Sequence, residues 1–320
     1  MALFLSEDEV TRLLPMNDAL RLVEQSFRAQ NAETAVNRSR QRIVLPHFSL
    51  HYMAAALLEE NLVGMKIYTV ARGGLRFLVL LYDGSTGELR ALMEADQLGR
   101  IRTGAASGVA TKYLARPDAG RVAVLGTGRQ ARTQLEAVAA VRNISSAAAY
   151  GRNPERRSAF CRELSEKLKL EVRQAASAED AVRDADIVIT ATTSAEPVLR
   201  GDWLSKGAHV NAIGANMANR REVDGRTIKR ASLIAVDSLE QSRGESGDLI
   251  VGLPEAERGW EDVIELHQVV AGKHPGRTSP EAVTIFKSNG IALWDLAVAA
   301  HIERQARTQG LGRQWDMLAT

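Results

Sequence analysis

At 320 residues and 34.8 kDa, 45% hydrophobic and 25% charged, the chain is long and apolar enough for two folded domains. Its 41 basic and 39 acidic residues leave a formal +2 spread along the sequence, which excludes the electrostatic footprint of a nucleic-acid or anionic-membrane partner. One cysteine, Cys161, excludes an intramolecular disulfide and a cysteine-based zinc site, and no apolar run reaches the roughly 18 residues of a membrane span.

The first residues, Met1 to Asp8, turn acidic too soon for a secretory signal, so a cytoplasmic protein is expected. Pro15 to Ala29 reads as an amphipathic helix, with Ala19, Leu20, Val23 and Phe27 at helical spacing. Between Arg42 and Tyr82, short apolar runs punctuated by Gly73-Gly74 and Asp83-Gly84 predict a sheet of hairpins and meanders. A small, alanine-rich helix follows over Asp96 to Tyr113.

After Arg116-Pro-Asp-Ala-Gly120 the pattern changes to short apolar strands alternating with helices. Strands are expected at 121–125, 147–150, around 172, and at 187–191, 208–213 and 233–236; helices at 129–141, 154–168 and 178–183. Such alternation predicts a parallel sheet covered on both faces. A long amphipathic helix, Ile291 to Arg307, lies outside that sheet and returns to the first domain. The expected organisation is a domain from 1–116 and 291–320 and a second from 117–290. No internal repeat stands out.

The most informative local segment is Val122-Ala-Val-Leu-Gly126-Thr127-Gly128-Arg129-Gln130-Ala131. Gly126 lets the chain turn sharply out of its strand, Gly128 keeps side chains away from a pyrophosphate, and Ala131 lets helix and strand pack closely. The helix start then offers N–H groups and positive dipole to phosphates. With a strand before and a helix and strand after, this is the context of a dinucleotide site rather than a structural turn. At the end of the second strand, Tyr150-Gly-Arg152-Asn153-Pro-Glu-Arg156-Arg157 lacks the carboxylate that would receive a ribose 2′-hydroxyl. Arg152, with Asn153 and Arg156, could instead pair a 2′-phosphate; a solvated helix start is the plainer reading of these arginines. NADP(H) is therefore favoured, with NAD(H) possible.

Three basic residues stand among apolar or small neighbours in the first domain: Arg42, Lys66 and Arg102. A cation so placed must be paired or face a polar cleft. Each alone is an ordinary ion-paired residue; together, beside a cofactor domain, they point to a pocket for a carboxylate. His47 and His51 lie nearby and are read as structural or surface residues, His47 with a possible substrate contact. No spacing points to a metal.

Over most of its length the chain resembles the ornithine cyclodeaminase/mu-crystallin family. The blocks that carry the resemblance are Gly64-Met-Lys66-Ile-Tyr, Leu80-Leu-Tyr-Asp83-Gly-Ser-Thr-Gly87-Glu, Ile101-Arg102-Thr103-Gly-Ala-Ala-Ser and the glycine turn. Ala191-Thr192-Thr-Ser194, Asn211-Ala-Ile-Gly214-Ala215 and Phe286-Lys-Ser288-Asn-Gly290-Ile-Ala-Leu-Trp-Asp295 complete them. The resemblance implies a Rossmann domain plus an α+β substrate and dimerisation domain formed by both chain ends, in a homodimer. It implies carboxylate binding by Arg42, Lys66 and Arg102, and it places Thr192 and Ser288 at the cofactor, Ser288 near the nicotinamide.

One departure matters. Where the family's cyclodeaminases carry an aspartate, this chain has Asn216, and Arg220 replaces the lysine four residues on. An amide cannot exchange a proton at neutral pH, so ring-closing deamination loses its acid/base group. The resemblance then implies an NADPH-dependent reductase of a small 2-imino acid, or an amino-acid dehydrogenase in reverse. Lys66 would be beside the C=N bond and Asn216 would bind the substrate nitrogen. An ornithine cyclodeaminase-type lyase and a non-catalytic NADPH-binding crystallin-like protein are the alternatives.

Overall fold

A computed structural model describes residues 1–315, which divide into two units: 1–102 with 290–315, and 103–289. In chain order the first unit contains β1 (Ala2–Leu5), α1 (Glu7–Leu13), α2 (Met16–Asn31), β2 (Ala35–Leu45), β3 (Phe48–Leu57), β4 (Leu62–Ala71), β5 (Gly74–Asp83), β6 (Leu89–Glu94) and the first turns of α3 (Asp96–Leu114). Strands β2 to β6 form the expected antiparallel meander. Strand β1, unforeseen in the sequence, joins β6 in parallel.

In β2 the pairing with β3 skips a residue: Arg38 faces Ala54 and Gln41 faces Tyr52, so Ser39 and Arg40 share the place opposite Met53. This bulge reverses which face each later side chain takes. Arg38 points one way; Arg42, opposite His51, points the other.

The second unit holds the rest of α3, then β7 (Arg121–Leu125), α4 (Arg129–Val141), β8 (Ser146–Tyr150), α5 (Pro154–Leu168), β9 (Val172–Gln174), α6 (Ala178–Val182), β10 (Ile187–Thr190) and β11 (His209–Ala212). It continues with α7 (Gly225–Arg230), β12 (Ala231–Val236), α8 (Leu239–Glu245), α9 (Gly247–Glu255), β13 (Val263–Glu265), α10 (Leu266–Val270) and β14 (Val283–Lys287). The strands are all parallel, in the order β13-β12-β14-β11-β10-β7-β8-β9. Val122 and Val124 pack into the core on one face of the sheet, Ala123 and Leu125 into that on the other. A strand buried on both faces needs apolar side chains at every position, which is why these segments read as runs. The chain leaves β7 toward β8 and returns to β10 on its other side. The gap between β7 and β10 is the topological switch point at which ligands bind in such sheets.

The division falls at 102/103, inside α3, and not at the Arg116–Gly120 turn. The C-terminal half of α3 is tied into the second unit by Arg142, whose guanidinium donates to the carbonyls of Thr111, Lys112 and Ala115.

The chain then re-enters the first unit with α11 (Ala292–Gln309) and β15 (Arg313–Trp315), which pairs with β1. The sequence suggested an amphipathic helix here. Every residue from 291 to 300 is buried, because α11 lies over the meander and against α2, with Trp294 edge-on to Phe27 at 5.4 Å. A helix covered on more than one side needs no polar face. Among the described residues, no helix is long and apolar enough to cross a membrane.

Candidate functional site

In the second unit, β7 ends at Gly126, whose φ of +104° suits a residue without Cβ; a methyl group there would meet the Ala191 carbonyl oxygen at 2.4 Å. Gly128 caps α4 with no side-chain hydrogen bond, and a Cβ added to it would meet nothing within 4 Å. Above this turn lies a cavity of about 390 Å³ lined by Gly126, Thr127, Gly128, Tyr150, Arg152, Asn153, Arg156 and Thr192, among others. No acidic residue is among its described lining residues. A glycine cradle with open space above it, at a helix N-terminus and a switch point, fits the pyrophosphate of a dinucleotide.

The other residues expected at the cofactor divide. Ala131 is buried under α4, as close helix–strand packing requires. Arg129 and Gln130 open α4 but do not line the cavity. Asn153 is the N-cap of α5, its Oδ1 accepting from the Arg156 N–H at 2.8 Å, so that oxygen has a structural task. Ser288 is buried and donates from Oγ to Asp237 Oδ2 at 2.9 Å; it does not line the cavity.

The loops after β10 and β11 are fastened by a buried network that sequence reasoning missed. Glu222 accepts from the N–H groups of Thr192 and Gly214, both at 2.6 Å, and from Thr190 Oγ1 at 2.8 Å. Burial and then the neighbouring Asp248 push its pKa up. Asp248 accepts from the Glu222 and Val223 N–H groups and pairs with the fully buried Lys287 at 3.0 Å. Asn216 and Arg220 ride on the loop so anchored, Arg220 donating to the Thr193 carbonyl at 2.7 Å.

In the first unit, Lys66 and Arg102 come together as expected. Lys66 Nζ lies 2.7 Å and Arg102 Nε 2.9 Å from the same oxygen, Oδ1 of Asp295 on α11. All three are at most 4% exposed. Arg102 Nη1 is buried with no hydrogen-bond partner. Burial, then the charge of Arg102, lowers the Lys66 pKa to about 8, against the pull of Asp295. The cluster therefore carries surplus positive charge and an unsatisfied donor, the requirements for receiving an anion.

Arg42 stands on the same sheet face, opposite His51, but is only half-buried. The deeper guanidinium is Arg40, 8% exposed, which donates to the Gly290 carbonyl at 3.1 Å and adds to the field on Lys66. Arg40 and Asp295 were not singled out from the sequence. A lone carboxylate inside the apolar Ile291–Ala300 run was the available signal for Asp295. His47 is exposed at the β2–β3 turn, whereas His51 is 3% exposed and stacks on Tyr68 at 4.4 Å.

Known proteins resemble this chain along nearly its whole length. The family model described as ornithine cyclodeaminase/mu-crystallin family matches residues 1–310. A Delta(1)-pyrroline-2-carboxylate reductase from Bacillus cereus is 34% identical over 322 aligned residues, covering 98% of this chain and 99% of the relative. The solved structure of Thermococcus litoralis Delta(1)-pyrroline-2-carboxylate reductase in complex with NADH and L-proline superposes with a TM-score of 0.94. It is 35% identical and covers 98% of this chain and 100% of its own. An archaeal alanine dehydrogenase dimer with bound NAD follows at 0.93, with 32% identity and 99% of both chains covered.

Proposed function

The chain belongs to the ornithine cyclodeaminase/mu-crystallin family, and from that premise we propose that it is a nicotinamide-dependent reductase of a small 2-imino acid, run backwards an L-amino-acid dehydrogenase. The observation that carries this reading is Lys66: a buried ammonium, held by Asp295, whose pKa of about 8 lets it give up a proton near neutral pH. A nicotinamide, when bound, would supply the hydride that the imine carbon needs. Lys66 Nζ supplies the proton to the imine nitrogen, so the C=N bond becomes CH–NH, and water returns the proton to Nζ. Arg102, through its open Nη1, and Arg42 fix the substrate carboxylate; Arg40 strengthens the field that draws it in. Asn216 offers a neutral hydrogen bond to the substrate nitrogen and has no proton to exchange, which disfavours the lyase reaction.

The cofactor we favour is NADP(H). Arg152 and Arg156 line the cavity beyond β8 where no carboxylate would repel a 2′-phosphate. The two neighbours above are described with NADH and NAD, so the preference belongs to this chain's own arginines. Gly126, Thr127, Gly128 and Thr192 would hold the remainder of the dinucleotide, with Arg129 and Gln130 at the helix start.

A homodimer, in the cytoplasm, is part of the same reading. Strand β2 is a sheet edge, and Ile43, Val44 and Leu45 near its end are 53%, 72% and 56% exposed. Unpaired apolar edges of this kind are normally covered by another chain.

The test is a panel of 2-oxo acids with ammonia or methylamine, together with cyclic imino acids, followed by nicotinamide absorbance with each cofactor. Steady cofactor oxidation with an imine is expected. Ammonia released from ornithine without net cofactor change would favour the lyase, and tight binding without turnover the crystallin-like protein.

A further inference from the structure

His51 lies on the sheet face that carries Lys66, and the chemistry above leaves it unused. It occupies a single cross-strand row, Arg42–His51–Tyr68–Phe77, running through β2, β3, β4 and β5. Lys66 lies two residues from Tyr68 on the same sheet face. The imidazole stacks on Tyr68, and Tyr68 on Phe77 at 5.0 Å, so its plane is fixed.

The two ring nitrogens differ. Nε2 lies 2.8 Å from Ser49 Oγ, whereas Nδ1 is buried with no hydrogen-bond partner. A buried polar atom left bare in a folded protein calls for a ligand. Burial, then the charges of Arg42 and Arg40, hold the ring neutral, with a pKa of about 4. A neutral imidazole carries one N–H. With the Ser49 hydroxyl donating to Nε2, that hydrogen sits on Nδ1.

We propose that His51 binds the substrate directly, its Nδ1–H donating to an oxygen of the carboxylate that Arg42 and Arg102 attract, with Ser49 as the positioning residue that sets the tautomer. The inference rests on the imino-acid reading above and adds a neutral donor to a grip otherwise made of cations. The guanidiniums already bind with direction, and the imidazole N–H adds one more fixed hydrogen bond without adding charge.

His51→Phe keeps a ring for the stack and removes the N–H; His51→Asn places an amide nitrogen near the position of Nδ1. Two quantities are measured. One is the KM for an imino-acid substrate. The other is the dissociation constant of pyrrole-2-carboxylate, a planar carboxylate that accepts no hydride, titrated calorimetrically with the oxidised cofactor present. In His51→Phe both are expected to rise about 10- to 100-fold, with kcat within about threefold. His51→Asn is expected to recover most of the loss, and Ser49→Ala to raise KM about three- to tenfold with the melting temperature unchanged. The proposal is overturned if a folded His51→Phe leaves both constants unaltered, if kcat alone falls, or if His51→Asn is as impaired as His51→Phe. Should His51→Phe fail to fold, His51→Asn and Ser49→Ala decide: wild-type affinity in the first with weakened affinity in the second upholds the assignment, and any other result overturns it. If the wild type reduces no imino acid, the reductase reading falls, and the analogue titration alone decides whether His51 holds a carboxylate. No analogue binding by the wild type overturns both.

Discussion

The cavity of the second unit and the cation cluster of the first are built from different material. The cavity floor is backbone and small side chains, Gly126 to Gly128 and Thr192, contributed by turns at the ends of adjacent strands. The cluster is made of long charged side chains, Arg40, Lys66, Arg102 and Asp295, drawn from β2, β4, α3 and α11 and buried among apolar neighbours. A backbone cradle depends mainly on what is absent: a side chain intruding on the ligand's space. A buried charge cluster depends on every member, because removing one leaves the others wrongly compensated.

That contrast gives a graded set of tests. Lys66→Met should lower kcat for imine reduction by about 10²- to 10⁴-fold while the cofactor dissociation constant stays put. Equal kcat would remove Lys66 from the chemistry. Asp295→Ala strips the carboxylate shared by Lys66 and Arg102, and by the reasoning for broken buried pairs should cost about 3–5 kcal/mol of stability, read by denaturant unfolding. In the cradle, two neighbouring glycines should behave unlike each other. Gly126→Ala forces a strained φ and a clash with Ala191, a loss of about 1–3 kcal/mol. Gly128→Val should leave the melting temperature of the free protein unchanged and weaken cofactor binding alone, since its Cβ meets only open space.

Smaller effects follow from titration. Lys66 has its folded pKa lowered to about 8, so kcat/KM for imine reduction should fall as pH rises through that value and the ammonium loses its proton. The reverse oxidation should gain over the same range. His209, fully buried in the second unit with its pKa lowered to about 3, stays neutral when folded but binds a proton near pH 6.5 when unfolded. Its contribution to stability is therefore present above about pH 6.5 and lost as pH falls toward 3. A folded His209→Gln variant should lose close to one proton from the slope of stability against pH in that window.

The same contrast explains what could be read beforehand. The segment from Val122 to Ala131 contains its strand, its turn and its helix start consecutively, so the cradle was legible without tertiary knowledge. Lys66 and Arg102 were visible as cations among apolar neighbours. Arg40 was not, because Arg38, Arg40 and Arg42 look equivalent at alternate positions until the bulge decides which way each points. Asp295 acts through partners about two hundred residues away and Glu222 ties Gly214 to residues about thirty positions off, and no local pattern announces either. Asn153 and Ser288 carry side chains suited to a cofactor, yet both already serve the fold, one as a helix cap and one on Asp237.

The doubled-up residue in β2 has a consequence for how such a protein could diversify. Excising Ser39 would remove the bulge yet leave Arg38 opposite Ala54, Arg40 opposite Met53 and Arg42 opposite His51, so each cation would keep its side of the sheet. Single-codon loss at that point would thus straighten the strand and shift how far the Arg40 guanidinium reaches, without changing which cations share the face of Lys66.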